Sequence, residues 1–64
     1  MMWKTPNYGW ALKDTRTGTL CQPNFYETIE QCRRAQNFRA NYGHETIIVS
    51  VVKTWLGRVK EQPR

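Results

Sequence analysis

Tyr8, Trp10 and Leu12 alternate with Gly9, Ala11 and Lys13 near the start of the chain, and a period of two marks a strand with one buried face. The next residues, Asp14-Thr15-Arg16-Thr17-Gly18, put an aspartate at a turn-opening position and a glycine where a hairpin turn needs positive φ. A short return strand, Thr19-Leu20-Cys21-Gln22, is expected to stop at Pro23, which has no N–H to give a ladder.

A helix is expected from Thr28. The Thr28 hydroxyl suits an N-cap and Gln31 stands three residues on, as in a capping box. Gly43 suits the left-handed residue that closes a helix. Stepping 100° per residue collects Phe25, Ile29, Cys32, Ala35, Phe38, Ala40 and Tyr42 on one wide arc and Glu27, Glu30, Arg33, Arg34, Asn37 and Asn41 on the other. Such a helix rests its apolar arc on another layer.

The run from Glu45 to Leu56 is dense in β-branched and aromatic residues and predicts a third strand. Ile47, Val49, Val51 and Trp55 fall on one face, the expected core. Ile48, Ser50, Val52, Thr54 and Leu56 fall on the other, which is only half polar. Gly57 breaks the pattern, and Arg58 to Arg64 reads as a basic tail. The expected fold is therefore α+β, a small ββαβ domain whose three-stranded antiparallel sheet has the order 2-1-3 and carries one helix on one face. One domain spans 1–64, with an ordered core over about 8–57 and a tail over 58–64.

Composition sharpens this picture. Sixty-four residues allow one core, which must lean on a few large side chains, and three Trp, three Tyr and two Phe supply them. Ten Lys and Arg against five Asp and Glu give a net charge of +5 and a pI near 9.7, which favours a polyanionic partner. No apolar run approaches the roughly 20 residues of a membrane span, so no membrane partner is expected. A charge and a proline, Lys4 and Pro6, stand where a secretory signal would be apolar, and the expected location is cytoplasmic. Cys21 and Cys32 are then expected as free thiols.

Catalytic chemistry finds little support. His44 is the one histidine and follows the helix-closing glycine, while Cys32 lies on the apolar arc. Cys21, Cys32 and His44 make at most three metal ligands and form no CxxC pair. The glycines are scattered, so no phosphate loop is present. No enzyme activity, metal or other cofactor is expected. Arg39 breaks the helix pattern by falling between Cys32 and Ala35 on the apolar arc. It reads either as a cation suited to the negative end of the helix dipole or as an anchor for a carboxylate or phosphate.

Two binding functions follow. In the first, Lys4, Lys53, Arg58 and Lys60 contact the phosphates of a nucleic acid while Trp3 or Trp55 stacks on its bases, all gathered at one end of the sheet. The alternative is a protein-binding regulator or inhibitor working through strand 45–56. There an exposed edge and the outward Ile48, Ser50, Val52 and Leu56 invite a partner protein or a second copy, making a homodimer.

Overall fold

The computed structural model describes residues 7–62 as a three-stranded antiparallel sheet with one helix, a small α+β fold. Strand β1 is Asn7–Asp14, helix α1 is Ile29–Ala40, strand β2 is Thr46–Lys53 and strand β3 is Val59–Glu61. The order along the chain is thus βαββ rather than ββαβ, and the sheet order is β1-β2-β3 rather than 2-1-3.

The alternating run forms β1, and all eight of its residues pair with β2, from Asn7 opposite Lys53 to Asp14 opposite Thr46. The turn after β1 also follows the sequence. Asp14 Oδ1 accepts from Arg16 N at 2.7 Å, Gly18 N donates to Asp14 O at 2.8 Å, and Gly18 has φ +73°. The return segment is where expectation and structure part. Thr19-Leu20-Cys21-Gln22 yields one isolated bridge, Leu20 with Lys13, instead of a strand. Pro23 ends any ladder there, and the chain rejoins β1 at Tyr26.

Helix α1 begins as its cap dictates, with Thr28 Oγ1 accepting from Gln31 N at 3.2 Å. Its end is closed by His44 N donating to Arg39 O and Gly43 N to Ala40 O, both at 3.0 Å, with Gly43 at φ +78°. The helix packs on β1 and β2. Gln36 Nε2 ties it to β2 by donating to Thr46 O at 2.9 Å.

The third expected strand is shorter than the apolar run. It ends at Lys53, and Thr54 to Gly57 turn the chain into β3. Gly57 N donates to Thr54 O, Thr54 N donates to Arg58 O, both at 2.8 Å, and Gly57 has φ +85°. That is a three-residue hairpin loop with glycine at its left-handed position. Part of the segment expected as a tail is therefore the third strand. β3 pairs Val59, Lys60 and Glu61 with Lys53, Val52 and Val51, and Gln62 N extends it to Ser50 O at 3.0 Å.

The core is small. Ala11, Leu12, Cys32 and Val51 are fully buried. Ala11 and Leu12 point to opposite faces of the sheet, so both faces are covered at its centre. The expected core face holds at Val51 but fails at its ends, since Ile47 is exposed and Trp55 lies in the turn. Phe38 and Tyr42, expected beneath the helix, are exposed as well. Their rings pack on each other, with centroids 5.1 Å apart. Lys13 Nζ and Glu61 Oε1 form an ion pair at 3.0 Å, partly exposed and therefore worth about 0–1 kcal/mol.

Gly9 is buried beside the Phe25 ring. A Cβ at Gly9 would lie 2.5 Å from Tyr26 O and 2.6 Å from Phe25 Cε1. Gly9→Ala should therefore destabilise the fold by about 3 kcal/mol in urea unfolding, the upper part of the usual overpacking range. Gly57→Ala meets no neighbour and strains only its positive φ, so it should cost about 1–2 kcal/mol. A Gly9→Ala loss no larger than that of Gly57→Ala would show that the Phe25 segment does not press on β1.

Candidate functional site

Two surfaces bring chemistry-bearing residues together. The first is the hairpin end of the sheet. Asn7 pairs with Lys53, so the start of β1 lies at the same end as the 54–57 turn. Trp55 and Leu56 occupy that turn and are 69% and 64% exposed. Tyr8, Val52 and Lys60 lie abreast on the three strands and so share one face, with Tyr8 exposed and Lys60 exposed at the sheet edge. Lys53 stands one pair nearer the turn, its ammonium 5.5 Å from the Phe25 ring centroid, and exposed Arg58 leaves the turn. Among the described residues no carboxylate forms an ion pair with Lys53, Arg58 or Lys60.

Lys53, Trp55, Arg58 and Lys60 lie in or next to a turn that the sequence does not predict, and strand alternation sets Lys53 on the face opposite Val52 and Lys60. Lys4 and Trp3 lie outside the described residues. Tyr8 belongs to the same surface, although the alternation places it on the buried face of the strand. Its position first in the alternating run, where a strand frays toward solvent, is the signal that separates it from Trp10 and Leu12.

Of the residues of the alternative reading, Ile48, Ser50 and Val52 share one face of β2 and Leu56 stands apart. Val52 is paired across to Lys60, and Ser50 O accepts from Gln62 N, so β3 occupies the edge that was expected bare from Ser50 to Lys53. Ile48 and Ser50 line a shallow depression of about 160 Å³ with Trp10 and Gln62. Leu56 is in the turn, away from that row.

The second surface is a groove of about 630 Å³ beside the C-terminal half of α1. Phe38, Tyr42 and Ala35 contribute from the helix side, and Pro23 and Tyr26 from the segment that runs along β1. Arg39 and His44 supply its nitrogen donors. Arg39 Nη2 donates to Gln22 O at 2.7 Å, which fixes the guanidinium against the 20–26 segment. Burial raises the Tyr26 phenol above its ordinary range, an effect that the nearby Arg39 charge partly opposes.

No family model, curated protein or solved structure matches this chain. Among the described residues no group of three or more His, Cys, Asp and Glu side chains is placed to hold a metal, and no helix is long and apolar enough to cross a membrane. Cys21 and Cys32 are free thiols.

Cys32 is fully buried and burial raises its thiol pKa, with no charged neighbour to lower it. A cysteine in that setting is a small hydrophobe rather than a nucleophile. Half-exposed Cys21 should react with a thiol reagent in seconds to minutes, and fully buried Cys32 at least about 10³-fold more slowly, since it reacts only from the unfolded fraction. The raised Cys32 pKa also links stability to pH. Below the unfolded value of about 8.5 the thiol is protonated in both states and the stability is fully present. As pH rises through the folded value that stability is lost, because ionisation favours the unfolded chain. Urea midpoints measured from pH 7.5 to 10 should fall with pH, and less steeply in Cys32→Ala; equal slopes would remove Cys32 as the source.

Proposed function

We propose that the protein binds nucleic acid, without catalysing a reaction on it, through the hairpin end of its sheet. The observation that carries this reading is the turn itself. A backbone closed by two hydrogen bonds of 2.8 Å presents exposed Trp55, with Lys53 and Arg58 at its two feet and Lys60 two residues further on. Cations supply attraction to phosphates and release condensed counterions, while an exposed ring gives a stacking surface to a base. The net charge of +5 acts in the same direction at longer range, raising the encounter rate with any polyanion. Residues Trp3 and Lys4 precede β1, which begins at this end, and they belong to the proposal through their position in the sequence.

The strand-edge reading, with Ile48, Ser50, Val52 and Leu56 as a protein or self-pairing interface, has less to stand on. Its motive was a long unpaired edge, and β3 pairs with that edge over Val51 to Lys53.

The decisive experiment is an anisotropy titration of labelled oligonucleotides, duplex and single-stranded, at two or more salt concentrations. The log of the binding constant should fall with log salt by about 0.9 per phosphate contact on duplex and about 0.7 on single strands. Lys60→Gln and Arg58→Gln should each lower that slope by about one contact while leaving the unfolding midpoint unchanged. Trp55→Ala should cost about 1–3 kcal/mol on the single strand if a base stacks on the indole. Absence of binding to either nucleic acid at 20 mM salt would overturn the proposal.

A further inference from the structure

The groove beside α1 is independent of the hairpin end and has features of its own. Phe38 and Tyr42, 64% and 69% exposed, are held against each other with their rings tilted by 52°. They stand along a concavity whose volume of about 630 Å³ lies within the roughly 300–1,000 Å³ of small-ligand pockets. Tyr26 and Ala35 give it further apolar wall. A helix whose apolar arc outruns the sheet beneath it thus leaves aromatic surface facing a cavity.

The charge of this cavity is one-sided. Arg39 brings a positive charge to its lining, and among the described residues no carboxylate lines it. A guanidinium has five N–H donors in a planar fork, and the structure shows one Arg39 nitrogen engaged, with Gln22 O. The same bond holds the group in place, so a ligand that accepts from the remaining donors need not order the side chain first. A Tyr26 phenol raised above its ordinary range stays protonated at neutral pH and so remains a donor.

From this geometry we infer that the groove binds a small aromatic carboxylate, its ring against Phe38 and Tyr42 and its carboxylate on Arg39. Flat apolar walls favour a ring over a hydrated inorganic anion, and the one-sided charge favours an acid over a neutral ring. A planar carboxylate also matches the planar fork of arginine, which a spherical cation such as lysine does not offer.

The test is an amide-shift NMR titration of the whole chain with 2-naphthoate, 2-naphthalenemethanol and inorganic phosphate in parallel. Naphthoate should give saturable shifts at Tyr26, Ala35, Tyr42 and His44, with a Kd of about 1 mM or below. The neutral alcohol should bind about tenfold more weakly, as befits loss of a charge-assisted pair. Arg39→Gln should bring acid and alcohol within about twofold of each other, Arg39→Lys should fall between, and Arg34→Gln, exposed and outside the groove, should change nothing. Phe38→Ala, an exposed position whose loss should leave the fold intact, should weaken acid and alcohol alike and serves as the second variant if Arg39→Gln unfolds. The inference is overturned if naphthoate gives no saturable shift, if its advantage over the alcohol survives Arg39→Gln in a folded protein, or if phosphate binds the groove as tightly. Tighter binding of an acetyl-Trp-Glu amide than of naphthoate would also overturn it and assign the groove to a protein segment.

Discussion

Everything in this molecule hangs on β1. Its eight residues pair with β2 on one side, and on the other side the chain between Thr19 and Tyr26 closes against it. Trp10 and Tyr26 exchange both backbone bonds at 2.9 and 2.7 Å, Cys21 N donates to Leu12 O at 2.7 Å, and Asp14 N donates to Thr19 O at 2.9 Å. A strand hydrogen-bonded on both edges is the interior of a sheet even where its second neighbour is irregular. Buried Gly9 makes the close approach of the Phe25 segment possible, and Ala11 and Leu12 are fully buried on the strand's two opposite faces. With four fully buried apolar residues among those described, the core alone gives little cohesion, so backbone pairing to β1 carries an unusual share of the fold's specification.

Where local chemistry decides the backbone, the sequence was sufficient. Asp14 and Gly18 make the turn, Thr28 caps the helix and Gly43 closes it, because each residue type satisfies a particular group or dihedral within a few positions. Where tertiary competition decides, it was not. Thr19 to Gln22 has the composition of a strand, yet Pro23 and the detour to Tyr26 leave it one bridge. β3 has a single apolar residue, Val59, between Arg58 and Lys60, and three residues give no periodicity to read. Its existence was encoded one step earlier, in Gly57. That glycine breaks the strand pattern, and with Thr54 three residues before it, it is the left-handed residue of a hairpin loop and predicts a returning strand.

The helix shows a different limit. Periodicity gives the direction of an apolar arc but not the extent of what lies beneath it. Cys32, near the start of α1, is fully buried, while Phe38 near its end and Tyr42 just past it are exposed. Gln36 reaches Thr46, the first residue of β2, so the helix runs off the sheet at the end where that strand begins. Residues Phe38 and Tyr42 lie beyond that point, and the apolar arc continues over a groove instead of a core. Arg39, which breaks the arc in sequence, is accounted for by the same overrun: it lies where the helix has left the sheet, and its guanidinium binds Gln22 O across the gap. The anomaly in the pattern and the groove in the structure have one cause.

That geometry also separates the two surfaces. The groove adjoins the helix end that leads through His44 into Thr46, while the hairpin follows Lys53. A strand of eight residues rising about 3.3 Å per residue puts about 23 Å between the Cα atoms at the two ends of β2. Side chains that far apart with no shared partner contribute independently to stability and binding. A ligand in the groove could influence the hairpin only by shifting the whole sheet, and β1, hydrogen-bonded on both edges, is the element least able to shift. The two proposed surfaces therefore sit at opposite ends of one sheet rather than forming one site with a remote switch.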